Sequence, residues 1–142
     1  MKSEIYLSHS EEATRAFGRR LVTLLPKGGI ISLTGPLGSG KSVIAKGVAE
    51  GLKIEEAIVS PTFTLVQEYD GILPLTHLDL YRLDGVEDFE GIGGEELLYR
   101  EGFVLIEWGE KIEQLLPSST IEITLTIGTE GERKIELKGV SL

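Results

Sequence analysis

An α/β fold is what this sequence predicts: a mostly parallel sheet between two helical layers, with antiparallel hairpins added to it. Three features carry that expectation. Two short, largely apolar runs, GIISLTG at 29–35 and FVLIEW at 103–108, read as strands buried inside such a sheet. The first runs straight into a glycine-rich loop and a helical pattern. Near the middle and at the end of the chain, pairs of strand-like runs are joined by turn sequences, DGIL and GTEGE, as hairpins are.

In order, EIYLS at 4–8 reads as a short strand. A helix follows, with Ala13, Phe17, Leu21, Leu24 and Leu25 on one face. Ser8 and Glu11 have capping-box spacing at its start, and Pro26 with the glycines after it ends it. The strand 29–35, the glycine loop and a second helix come next. TFTLVQEY and PLTHLDLY form the first hairpin. The acidic, glycine-rich stretch DGVEDFEGIGGEELLYREG reads as loop with short helical pieces. After the strand 103–108, GEKIEQLL is a brief helix stopped by Pro117, and TIEITLTI with RKIELKGV closes the chain as a hairpin. No repeat, linker or low-complexity tract interrupts this order, so residues 1–142 are expected to form one domain.

Composition removes several functions. The 14 Lys+Arg against 23 Asp+Glu leave a net charge of −9. Affinity for nucleic acid comes largely from neutralising phosphates, so a role on RNA would call for a basic partner. With no cysteine there is no disulfide, thiolate zinc site, iron–sulfur cluster or cysteine nucleophile. Two histidines, His9 and His77, argue against a His-rich metal site. The N-terminal stretch lacks the apolar core of a secretory signal, and no apolar run has the length of a membrane span. A cytoplasmic protein with no membrane contact is expected.

The glycine loop carries the chemistry. Gly35-Pro36-Leu37-Gly38-Ser39-Gly40-Lys41-Ser42 matches G-x-x-x-x-G-K-[ST], with a buried strand before it and a helix after it. Glycines at 38 and 40 let backbone N–H groups approach phosphate oxygens that a Cβ would keep away. The helix beginning near Lys41 aims its N-terminal N–H groups at the same anion. Lys41 supplies a full charge to the β- and γ-phosphates, and the Ser42 hydroxyl is suited to Mg²⁺. A P-loop NTPase-like fold is expected from this. The guanine-reading N-K-x-D motif is excluded because the chain has no Asn, which leaves adenine as the favoured base.

A phosphate loop needs a carboxylate at the C-terminal end of another strand to hold Mg²⁺ or its water. Glu107, at the end of FVLIEW, and Asp79, in HLDLYRL, are the candidates. Asp79 shares its alternating face with His77 and Tyr81, so a structural hydrogen-bonding role is open to it as well. His77 reads as a hydrogen-bonded strand histidine rather than a base. Ser60–Thr64 (SPTFT) suits a loop that senses a γ-phosphate or orients water, and equally a plain entry into a strand. Trp108 serves either core packing or a functional contact. Arg82 serves either a surface ion pair or a phosphate.

Taken together, GPLGSGKS, SPTFTLVQEY, HLDLYRL and VLIEWGEK, in this order, resemble the TsaE (YjeE) family, the bacterial ATPases of tRNA threonylcarbamoyladenosine (t6A) synthesis. The resemblance runs from EEAT through the last hairpin. It implies that Gly35, Gly38, Ser39, Gly40, Lys41 and Ser42 hold ATP or ADP, with Ser42 on Mg²⁺. Glu107 would match the metal-site acid, Asp79 the second acid near Mg²⁺, and Thr62 the switch-like hydroxyl. Glu11 and Gly131 would approach the nucleotide from the N-terminal segment and the closing hairpin. Each has a plainer alternative, a helix cap and a turn. Pro36 stands where many members carry an acid, and it has no N–H to give a phosphate. The resemblance further implies partners, a threonylcarbamoyl-transferase and its inactive paralogue, with tRNA reached only through that complex. Hydrolysis would be slow alone and stimulated by those partners. A small-molecule kinase would need a lid and substrate domain for which little chain remains. A module that binds nucleotide without hydrolysing it stays open.

Overall fold

A computed structural model describes residues 3–58 and 65–140 of the chain. Seven strands form one sheet in the order β1-β7-β6-β2-β5-β4-β3. They are β1 (Ser3–Ser8), β2 (Gly28–Thr34), β3 (Val66–Tyr69), β4 (Leu75–Asp79), β5 (Gly102–Glu107), β6 (Ile121–Ile127) and β7 (Arg133–Lys138). The helices are α1 (Glu11–Leu24), α2 (Lys41–Gly51), α3 (Val86–Gly91) and α4 (Gly94–Leu98), with a 3-10 segment at Gly109–Leu115.

The four central strands are parallel: β2 lies between β5 and β6, and β4 is on the far side of β5. Antiparallel strands flank them. β3 folds back on β4, β7 on β6, and β1 adds to the outside of β7. The expected parallel core and hairpin additions are both present.

Strand β5 explains the two cores. Every residue of it is buried, and alternate side chains serve opposite faces. Phe103 and Leu105 pack with Phe17 and Leu21 of α1 and Ile44 and Val48 of α2. Val104 and Ile106 pack with Phe89 of α3, Leu98 of α4 and Ile112 of the 3-10 segment. The result is three layers.

Two details differ from the sequence reading. The cap of α1 is Ser10, whose side chain accepts the Ala13 N–H at 3.0 Å. Ser8 still belongs to β1, and its hydroxyl meets Thr14 Oγ1 at 2.6 Å. Glu11 is therefore the first helical residue and not a capping-box partner. The buried face of α1 is Thr14, Phe17, Gly18 and Leu21, with Ala13 only partly covered.

Gly18 is the reason for that rotation. A Cβ there would lie 2.4 Å from the Ile44 carbonyl, and one on Gly47 would lie 2.1 Å from the Arg15 carbonyl. The helices α1 and α2 touch backbone to backbone, which only glycine permits.

Candidate functional site

The loop from β2 to α2 is the centre of the site. A Cβ on Gly35 would meet Ser39 Oγ at 2.6 Å and the Leu125 carbonyl at 2.9 Å, so the loop is folded tightly against β6. Ser39 is buried beneath it, its N–H donating to the Pro36 carbonyl at 3.1 Å. Gly38 and Gly40 have φ of +80° and +109°, the left-handed region that glycine enters without strain. Among the described residues, no atom beyond its own chain neighbours lies within 4 Å of where a Gly38 Cβ would stand. Gly40 caps α2, its carbonyl accepting the Ile44 N–H at 3.0 Å. Glycines turned this way before a helix N-terminus make an anion cradle.

Lys41 opens α2, and opposite it stand the strand-end acids. Asp79 and Glu107 are register partners at the ends of β4 and β5. Glu107 is only 8% exposed. Its Oε1 lies 3.8 Å from Lys41 Nζ and its Oε2 lies 2.9 Å from His77 Nε2. Burial pushes the Glu107 carboxyl up, but the hydrogen bond and charge of His77, with Lys41 behind them, outweigh it and hold the group below its ordinary value. An ionised carboxylate only accepts, so His77 Nε2 is the donor. Asp79 Oδ1 accepts the Tyr81 N–H at 3.0 Å, which fixes the turn out of β4.

Trp108 follows Glu107 with φ +65°, a conformation uncommon for a bulky residue. The residue is 36% exposed, and its ring centroid lies 5.2 Å from that of Tyr81 and 5.5 Å from Lys41 Nζ. Trp108 is thus a wall of the site rather than core. Lys111 was not singled out by the sequence. Its ammonium donates to the Tyr81 and Leu83 carbonyls at 2.6 and 2.7 Å and lies 5.6 Å from both the Tyr81 and Trp108 rings. No signal in the sequence marks it, since its acceptors are backbone carbonyls.

Of three cavities that adjoin the phosphate loop, two reach Gly38, Gly40 and Ser42. One, of about 570 Å³, is lined by Leu37, Lys41, Ser42, Asp79, Tyr81, Glu107 and Trp108. The other, of about 380 Å³, is lined by the Ser8–Glu11 turn, Thr14, Val43, Lys46, Gly131 and Arg133. Gly38, Gly40 and Ser42 line both. Lys41, Asp79 and Glu107 thus gather with Ser42 on one side. Glu11 and Gly131, distant in sequence, meet on the other. Arg133 ties the closing hairpin to the loop, donating to the Gly38 carbonyl at 3.1 Å and to the Gly131 carbonyl. Arg82 is exposed and lines neither cavity. Thr62 and the rest of SPTFT lie outside the described residues.

The residues present fit a nucleotide and a hard dication. The Gly38 flank is open where a side chain would fill it, and the donors beside Lys41 are oxygens: Ser42 Oγ and the carboxylates of Asp79 and Glu107. Two acids are too few to enclose a metal. Mg²⁺ is commonly held so, the rest of its shell coming from phosphate and water.

Comparison with known proteins agrees with this arrangement. The family model described as "Threonylcarbamoyl adenosine biosynthesis protein TsaE" matches residues 8–135. The tRNA threonylcarbamoyladenosine biosynthesis protein TsaE of Treponema pallidum is 43% identical over 129 residues, 91% of this chain and 96% of that protein. Its namesake from Bacillus subtilis is 36% identical over 141 residues, 99% of this chain and 88% of that protein. The crystal structure of Bacillus subtilis YdiB superposes with a TM-score of 0.79 at 32% identity, covering 96% of this chain and 84% of that one.

Proposed function

The chain belongs to the TsaE family, tRNA threonylcarbamoyladenosine biosynthesis proteins, and from that premise we propose that it binds ATP with Mg²⁺ and hydrolyses it to support turnover of a threonylcarbamoyl-transferase complex. The observation that carries this reading is the Lys41–Glu107 pair at 3.8 Å in a cavity shared with Ser42 and Asp79. A phosphate-binding cation and two strand-end acids on one side of a phosphate loop are the parts that phosphoryl transfer uses.

On this reading the loop N–H groups and Lys41 bind the phosphates of ATP or ADP. Ser42, Glu107 and Asp79 hold the metal or its water. Mg²⁺, when bound, neutralises charge developing on the phosphoryl group. The adenosine end extends toward Glu11 and Gly131. Thr62 would orient the attacking water.

Hydrolysis by the protein alone is slow on this reading, because no described arginine lines the Lys41–Glu107 cavity. Arg133 lines the other, committed to the loop carbonyl. The charge that completes the site then comes from outside. The partners are the transferase subunit and its inactive paralogue, and tRNA is met only through them, in keeping with a net charge of −9. No helix among the described residues is long and apolar enough to cross a membrane, and we place the work of residues 1–142, one domain, in the cytoplasm.

The test is ATP turnover by this protein alone and with the transferase pair, at matched concentrations and saturating ATP. Stimulation of at least about tenfold, a barrier change of about 1.4 kcal/mol, is expected. Equal rates would show that the isolated site is already complete and would sink the partner-completed reading.

A further inference from the structure

His77 is a buried polar group that the scheme above leaves without work. It is 1% exposed, on a strand enclosed between β3 and β5. Its Nδ1 is buried with no hydrogen-bond partner among the described residues, so its one directional contact is Nε2 to Glu107 Oε2 at 2.9 Å. The register explains why they meet. His77 lies beside Leu105 and Asp79 beside Glu107, so His77 and Glu107 are diagonal neighbours on the face that α2 covers.

That contact divides the carboxylate. Oε2 is committed to the ring, and Oε1 is turned toward Lys41 and the phosphate loop. Without the ring, the Glu107 side chain could rotate and offer either oxygen in either direction, with Lys41 as its one remaining anchor among the described residues. We infer that His77 is a positioning residue: it fixes the Glu107 carboxylate so that one oxygen always faces the metal position beside Lys41 and Ser42. The inference rests on the reading of Glu107 as the metal-site acid and adds the group that orients it. Partners that orient a metal-site acid from behind typically contribute 10–100-fold in metal affinity or activity, so roughly tenfold is the effect to look for.

The experiment uses the full chain and three substitutions, with Glu107→Gln beside them. His77→Gln retains an N–H donor at the ε position. His77→Asn retains an amide too short to reach, and His77→Leu removes the donor. ADP affinity is measured by calorimetry in the presence of a chelator and then across a Mg²⁺ series, and thermal unfolding is recorded for the ligand-free proteins. The expected result is unchanged ADP affinity without Mg²⁺ in every His77 variant. The Mg²⁺ concentration needed for half of its effect should rise about tenfold in His77→Asn and His77→Leu and stay near parental in His77→Gln.

A merely structural histidine would instead lower thermal stability and ADP affinity together, with or without Mg²⁺, and that outcome overturns the inference. Asn and Gln are both polar and similar in size, so their contrast decides the matter even if the Leu variant does not fold. Parental Mg²⁺ dependence in His77→Asn, with Glu107→Gln impaired, removes the inference alone. Parental Mg²⁺ dependence in Glu107→Gln removes the metal-site reading and the inference with it.

Discussion

Lys41 Nζ stands 3.8 Å from Glu107 Oε1, so the cation of the phosphate loop and the acid at the end of β5 are partners before any phosphate is present. Both side chains are largely shielded from water, where such a pair attracts more strongly than on an open surface. On the proposed reading a nucleotide would draw Lys41 toward its phosphates, and that movement would free Glu107 Oε1 for the metal. The first prediction follows from this exchange.

Lys41→Ala should weaken ADP binding by at least about a hundredfold, roughly 2.8 kcal/mol, while the protein stays folded. Calorimetric titration with ADP, together with the far-UV spectrum, checks it. Parental affinity in the variant would remove Lys41 from the phosphate site.

Base preference is predicted from composition and from the second cavity. The chain has no Asn for a guanine-reading motif, and the cavity offers the Ser8–Glu11 turn and Gly131 instead. ADP should bind at least about tenfold more tightly than GDP, about 1.4 kcal/mol. Competition of each diphosphate against a fluorescent ADP analogue measures this. A guanine preference would refute it.

Gly47→Ala should destabilise the protein by about 1–3 kcal/mol, the usual range for overpacking. The added methyl would stand 2.1 Å from the Arg15 carbonyl, which is backbone and cannot rotate aside. Alanine is the better helix former, so propensity alone predicts a gain. Urea unfolding decides between the two, and a more stable variant would show that the helices separate at little cost.

The last prediction concerns pH. Glu107 has a folded-state pKa below its ordinary value of 4.5, because His77 and Lys41 outweigh burial. A depressed pKa means the unfolded chain takes up the proton first as pH falls. The stabilisation is therefore fully present above about 4.5 and is lost as pH drops through the lower folded value. Ligand-free parent should lose stability relative to Glu107→Gln on acidification below that point. Parallel stability curves for the two proteins would contradict the assigned direction.

The phosphate loop, the two buried strands and both hairpins were legible because each is written locally, in glycine spacing, apolar runs or turn residues. Ser10 displaced Ser8 as the cap of α1 because β1 runs as far as Ser8 to stay in register with Arg133, which no window of sequence reveals. The close crossing at Gly18 and Gly47 was not legible either. A glycine in a helix reads only as a weak helix former until the neighbouring backbone is known. His77 is legible as a hydrogen-bonded strand residue, but its partner is not, since that contact exists only because β4 lies parallel beside β5. Lys111 went unnoticed for a similar reason: its work is done on two backbone carbonyls, and carbonyls have no sequence signature.

The place of β2 in the sheet also governs when the site can exist during synthesis. Its two neighbours are β5 and β6, and both follow it late in the chain. A nascent chain that has emerged only as far as Gly102 carries the whole phosphate-loop motif and the helix behind it. It has no strand on either side of β2 to hold them in place. Pairings so distant in sequence carry the chain-closure entropy that slows folding. The phosphate loop is thus translated before the strands that hold it, and on the ribosome the growing chain displays a nucleotide-binding sequence well before it owns a nucleotide-binding site.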